Sequence, residues 1–225
     1  MEFNIALLRT VFQTMAIINI HNNNYSKVID RAVSVVRNSG LLIYPTETFY
    51  ALGARYDAKE AISRIFTVKV RTSEKTLPLI IGDLSQLELI TTSISNEERI
   101  FIDKFWPGPL TILLNAKADL HEQISFNKKV AVRMTDNKVA QDISKYSGFP
   151  LISTSANISK MPASTSIDDL IPHFNDKVDL IIDAGFTKGG KPSTIVEITS
   201  QGVKILRLGA IEKDKILEAG LRILS

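Results

Sequence analysis

Short apolar blocks alternate with amphipathic stretches along this chain, and the spacing within each predicts the element it builds. Residues 41–43 (Leu-Leu-Ile) have no polar alternation, the pattern of a strand buried on both faces of a mostly parallel sheet. Pro45 is expected to stop that strand's ladder, because it has no N–H to donate. Over residues 26–38, Val28, Ile29, Ala32, Val35 and Val36 recur at helical spacing, with Gly40 as the expected C-cap. A second helix is predicted from Asp57 and Glu60, a capping-box pair, through the apolar face of Ala61, Ile62, Ile65 and Phe66 to Lys69 in its last turn. Between strand and helix, Thr46, Glu47 and Thr48 place two hydroxyls and a carboxylate where α/β folds bind ligands.

Further strands are predicted over residues 77–81, 110–114, 130–134 and 178–182, residues 16–20 are β-like, and 194–198 pairs with 203–208. Residues 150–152 lead into the polar STSAN at 153–157. Helices are predicted over 97–105, over 138–146, over 168–174 where Pro172 breaks a short one, and over 211–223. The WPGPL segment at 106–110 forces a turn and places Trp106 in the core. Strands and helices mix without a strict βαβ repeat, so the expected fold is α/β, a twisted mixed sheet flanked by helices. One domain is expected over residues 25–225, with residues 1–24 an N-terminal extension. Translation is expected to begin at Met15, leaving 1–14 as the extension proper. Intact-mass measurement on protein from the native host checks this, and an intact Met1 terminus refutes it.

Composition narrows the possibilities. A chain of 225 residues, 44% hydrophobic and 23% charged, can bury a substantial core. No apolar run approaches the length of a membrane span. With no cysteine, thiolate zinc sites and a cysteine nucleophile are excluded, and a reducing cytoplasm is the expected setting. The formal charge of +3 permits an anionic ligand without indicating a nucleic-acid binder. The phosphate-binding loop of P-loop enzymes, the G-x-G-x-x-G turn and the G-x-S-x-G elbow are all missing. His21, His121 and His173 lack metal-ligand spacing and are expected on the surface or in loops. What remains is a set of hydroxyl, amide and cationic groups placed after strands, suited to binding and orienting phosphates.

The words YPTETFYALG (44–53), KVR (69–71), WPGPLT (106–111), VAVRM (130–134), STSAN (153–157) and LRLGA (206–210) follow one another in the order and spacing of the YrdC-like family. The resemblance covers roughly residues 25–215. It implies a concave basic cavity and a nucleotidyltransferase reaction: L-threonine and bicarbonate or CO2 form a carbamate, which attacks the α-phosphate of ATP to give threonylcarbamoyl-AMP and pyrophosphate. The product would supply a downstream tRNA threonylcarbamoyl transferase complex that modifies the adenosine beside the anticodon. Mg2+ would accompany ATP, no metal would be held by the protein alone, and weak tRNA binding is a further expectation.

The resemblance also assigns residues by motif position. Lys69, Arg71, Ser155 and Asn157 are the group associated with activity. Thr48, Arg133, Ser153 and Thr187 would hold threonine, with the Arg133 fork on its carboxylate. Lys69, Arg71, Lys75, Ser155, Asn157 and Arg207 would take the nucleotide. This chain departs from the pattern at Ala51, where glycine is commoner, at Thr72, where proline usually follows the arginine, and at Ile80 and Lys129. Two alternatives stand beside this reading. One is an RNA-binding module using the same cavity without catalysis, disfavoured by an aromatic content of 7% and no basic stretch interleaved with stacking residues. The other is a carbamoyl-adenylate enzyme of the hydrogenase-maturation type, whose cysteine zinc fingers this sequence lacks.

Overall fold

The structure, a computed structural model, describes residues 15–70 and 76–224. In chain order its elements are β1 (Ala16–Asn19), α1 (Tyr25–Arg37), β2 (Leu42–Pro45), β3 (Tyr50–Gly53), α2 (Lys59–Lys69), β4 (Leu79–Ile81), α3 (Leu87–Ile90), α4 (Asn96–Phe105), β5 (Leu110–Asn115), β6 (Ser125–Phe126) and β7 (Lys129–Met134), followed by α5 (Lys138–Ser147), β8 (Leu151–Ile152), β9 (Thr154–Ser155), α6 (Ile171–Phe174), β10 (Leu180–Asp183), β11 (Thr194–Thr199), β12 (Gly202–Arg207) and α7 (Lys213–Leu217). They form two mixed sheets. The first has the order β1-β10-β2-β3-β9, and the second β12-β11-β5-β7-β4-β8 with β6 added at β7.

The unalternating apolar runs work as expected, because each strand of the first sheet is covered on both sides. Leu42, Tyr44, Leu180 and Ile182 pack with Val28, Ala32 and Val36 of α1 and Ala140 and Ile143 of α5. Ile43, Leu52 and Ile181 point the other way, into the core shared with α2 and the second sheet. Burying one such side chain fully stabilises the fold by about 1.5–3 kcal/mol. That packing, more than helix propensity, holds the valine-rich α1 in place. β1 pairs in parallel with β10, so the first sheet reaches upstream of residue 25. The expectation about residues 1–14 lies outside the described residues. No helix among the described residues is long and apolar enough to cross a membrane.

Several expectations are corrected. Pro45 does not end its ladder: it sits opposite Tyr50 in a tight β2–β3 hairpin, and the Tyr50 N–H bonds the Ser164 carbonyl instead. Tyr50–Gly53 is therefore a strand in its own right. Asp57 caps nothing, because Arg55 takes both its carboxylate oxygens, at 2.6 and 2.7 Å, and α2 starts after an uncapped Ala58. At the end of α1 the left-handed residue is Ser39 rather than Gly40. The Ser39 N–H bonds Val36 O and the Gly40 N–H bonds Val35 O, a Schellman closure, and a Cβ on Gly40 would lie 2.7 Å from Val35 Cγ1. Pro172 lies in the first turn of α6, where no N–H is required, and does not break it. The predicted closing helix stops at Leu217. Gly220, at φ +87°, turns the chain, and Arg222 and Leu224 then exchange backbone hydrogen bonds with Val203 on β12.

Candidate functional site

β8 belongs to the second sheet and β9 to the first, and only Ser153 separates them. A cleft of about 720 Å3 draws its wall from both sheets around this step. Pleating explains its floor. On β5, β7 and β11 one set of alternate residues, Ile112, Leu114, Val130, Val132 and Val196, enters the core, while Thr111, Leu113, Ala131, Arg133 and Ile195 face the cleft. Tyr50 and Ala51 of β3, Ser155 of β9 and Arg207 of β12 complete much of the wall.

The hairpin turn 46–49 forms one side. The Thr46 hydroxyl donates to the Phe49 carbonyl at 2.6 Å and accepts from the Thr48 N–H at 3.3 Å, so Thr48 is presented to the cleft by its neighbour. Between them, Glu47 is turned inward. One carboxylate oxygen forms an ion pair with the Arg133 guanidinium, and the other accepts the Thr135 hydroxyl at 2.6 Å. Both side chains are nearly closed to solvent, Arg133 at 9% and Glu47 at 6% exposure, so each needs the other's charge. Burial pushes the Arg133 guanidinium down to about 10, against the upward pull of Tyr44 and Asp136, with Arg207 repelling it as well. Burial raises the Tyr44 phenol, while Ser153 and the Arg133 charge work the other way.

The STSAN segment is held from behind. The Lys69 ammonium, 3% exposed, donates to the backbone carbonyls of Ser155 and Asn157 and to Asn157 Oδ1 at 3.1 Å. Ser155 Oγ bonds Asn157 Oδ1, and the Asn157 amide donates to the Met161 carbonyl. Ser155 reaches the cleft, whereas Lys69 and Asn157 do not line it. Arg207 does, and its guanidinium donates to Ser193 O at 2.8 and 3.1 Å and to Ser193 Oγ at 3.1 Å. Thr187 lies beyond the wall on the loop after β10, its N–H bonding Thr165 O. Its hydroxyl is buried with no hydrogen-bond partner among the described residues. That loop is tied to the hairpin by Gly189 N–H on Thr48 O at 2.7 Å and by Tyr50, whose hydroxyl donates to Gly185 O at 2.7 Å.

Thr48, Arg133, Ser153, Ser155 and Arg207 thus come together in one cleft. Arg71, Thr72 and Lys75 lie outside the described residues. A family model described as telomere recombination, Sua5/YciO/YrdC, matches residues 34–209. The chain belongs to this family. A threonylcarbamoyl-AMP synthase of Pyrococcus abyssi is 34% identical over 89% of this chain and 59% of its own length. One of Bacillus subtilis is 33% identical over 84% of this chain and 55% of its own. The chain thus spans little more than half the length of these two relatives. The crystal structure of P. abyssi Sua5 complexed with L-threonine superposes with a TM-score of 0.86 at 33% identity, covering 93% of this chain and 62% of that one. E. coli YciO gives 0.78 at 26% identity, covering 90% and 98%.

Departures from the Sua5/YciO/YrdC pattern can now be placed. Ala51 and Ile80 line the cleft, so both add apolar surface to the wall itself. Lys129 pairs with Glu197 at 3.7 Å and is not on the lining. Of the lining cations, Arg133 is matched by Glu47 while Arg207 meets only neutral groups. The trio Glu47, Thr135 and Ser193 was not picked out as site residues by sequence reasoning. For Glu47 a signal existed, a carboxylate in a turn otherwise made of hydroxyls; Thr135 and Ser193 matter only through partners 88 and 14 residues away.

Proposed function

We propose that this protein is a threonylcarbamoyl-AMP synthase, joining L-threonine, bicarbonate or CO2, and ATP, and releasing pyrophosphate. The observation that carries the reading is the convergence of Thr48, Arg133, Ser153, Ser155 and Arg207 on one cleft of about 720 Å3, within the range that holds a small-molecule ligand whole. The names of the relatives and the threonine complex of P. abyssi Sua5 support it.

In this reading the threonine carboxylate meets the Arg133 fork, and the Thr48 and Ser153 side chains take its polar groups. Thr187 completes the same pocket with its unpartnered hydroxyl. The threonine amine adds to CO2, losing a proton, and a carbamate oxygen attacks the α-phosphorus of ATP as the bond to the β-phosphate oxygen breaks. No protein nucleophile is needed; catalysis comes from holding the reactants close and from stabilising negative charge on the phosphates. Ser155, Asn157 and Arg207 serve the phosphates, with Lys69 fixing the loop that carries the first two. Arg71 and Lys75 are assigned to the phosphates by motif position alone.

Among the described residues no group of three or more His, Cys, Asp or Glu could hold a metal ion. The carboxylate at the cleft, Glu47, is already committed to Arg133 and Thr135. The residues therefore do not form a protein-held Mg2+ site, and Mg2+ belongs to the reaction as part of the MgATP substrate. The product is a mixed anhydride, prone to hydrolysis, so a tRNA-modifying transferase that accepts the threonylcarbamoyl group is its natural consumer.

The test is pyrophosphate release by the purified protein. Release is expected only when L-threonine, bicarbonate and MgATP are all present, and turnover that ignores threonine would overturn the reading.

A further inference from the structure

Two guanidiniums line one cleft, and the proposed reaction brings it two kinds of anion: a carboxylate of charge −1 and a polyphosphate carrying several charges. Positive charge alone would send the polyphosphate to both. The structure treats the two arginines differently. Arg133 is buried and bears a buried counter-ion, Glu47, whose second oxygen is held by the Thr135 hydroxyl at 2.6 Å. Thr135 is itself fully buried and accepts the Asn137 N–H at 3.2 Å, so the carboxylate has a fixed seat and does not depend on the guanidinium for its position. Asp136, next to Thr135 and exposed, adds negative field at Arg133 from the same loop. Arg207, by contrast, is exposed and bonded to the neutral Ser193 carbonyl and hydroxyl; among the described residues no carboxylate pairs with it.

We propose that Glu47 sorts the two anions: by neutralising Arg133 it reserves that guanidinium for a singly charged carboxylate and leaves the polyphosphate to Arg207. The inference rests on the proposed function, because it needs both ligands to share the cleft. A neutralised guanidinium still offers N–H groups in fork geometry, which suits the planar carboxylate of an amino acid. It no longer presents the net charge that a polyphosphate, with more solvation to lose, requires in exchange. Glu47 need not touch either ligand; it is a specificity-determining residue acting through Arg133.

Equilibrium competition tests this, with inorganic pyrophosphate as the probe. On the wild-type protein pyrophosphate is expected to displace a non-hydrolysable ATP analogue and to leave bound L-threonine in place. Glu47→Gln keeps an acceptor for Thr135 and Arg133 but removes the charge; pyrophosphate should then displace threonine about ten-fold more effectively than in wild type. Thr135→Val removes the hydroxyl and keeps the charge, so threonine should stay resistant. An unchanged Glu47→Gln, or a Thr135→Val that loses threonine to pyrophosphate, overturns the proposal. If Glu47→Gln does not fold, the wild type still decides: threonine lost to pyrophosphate as readily as the ATP analogue overturns the sorting alone. A wild type that binds no threonine at all removes the functional reading and this inference together.

Discussion

Lys69 and Arg207 are both cations assigned to the nucleotide by motif, yet they stand in opposite environments. Arg207 is exposed and lines the cleft, so its removal should disturb binding and little else. Arg207→Ala is expected to weaken ATP-analogue affinity by about 1–3 kcal/mol, the worth of a charge-assisted contact, with an unchanged urea midpoint. Calorimetry and urea titration read the two effects separately, and full affinity in the variant would remove Arg207 from the nucleotide site. Lys69 is 3% exposed and satisfies three oxygens of the STSAN segment. Lys69→Met should leave those acceptors short of donors and lower stability by about 1–3 kcal/mol in urea unfolding. A variant as stable as wild type would show that the ammonium is not what holds the loop. Sequence could propose both residues because both sit in motif words. It could not assign their environments, since whether a lysine faces solvent or a carbonyl cluster depends on a strand 86 residues away.

At the scale of elements, the decisive contact is the corner where β3 passes β8. A Cβ placed on Gly53 would lie 2.2 Å from the Ile152 carbonyl oxygen and 2.8 Å from a ring carbon of Tyr44. Both neighbours are buried, so neither can yield cheaply. Gly53→Ala is therefore expected to lower the unfolding free energy by about 1–3 kcal/mol through overpacking, and to widen the step at Ser153 that joins the sheets. Urea unfolding measures the first; a tolerant variant, unchanged in midpoint, would mean that the sheets are not in the close contact described. Elements with a strong pattern were readable in the sequence: the α1 stripe, the runs that became β2, β5, β7 and β10, and the antiparallel pair β11–β12. β3 was not, because Tyr-Ala-Leu-Gly is short, lies against a proline and is buried on both sides, so it shows no period. The predicted closing helix failed for a related reason: its apolar spacing fits a helix, but the edge of β12 offers backbone partners that Arg222 and Leu224 take instead. The predicted Asp57 cap failed because Arg55, two residues earlier, is a stronger partner than a free helix N–H.

At the scale of the whole molecule, the cleft ties the two sheets together through the same residues that are proposed to bind ligand. The hairpin of the first sheet supplies Thr48 and Glu47, and β7 of the second supplies Arg133. A ligand seated there contacts both sheets, so its binding energy should appear in the stability of the entire fold and not in one half of it. At concentrations near 100 times the dissociation constant, a ligand that binds only the native state adds about 2.7 kcal/mol. For a chain of this size that corresponds to a rise of roughly 5–11 °C in the unfolding midpoint. L-threonine with a non-hydrolysable ATP analogue and Mg2+ is expected to produce such a rise in a single, still cooperative transition, and the pair should exceed the sum of the two alone if threonine and nucleotide order the same walls. Differential scanning calorimetry checks this directly. Two separated transitions, only one of them moved by ligand, would mean that the sheets unfold independently and that the ligand belongs to one of them. No shift at saturating concentrations would mean that this cleft is not where threonine and nucleotide meet.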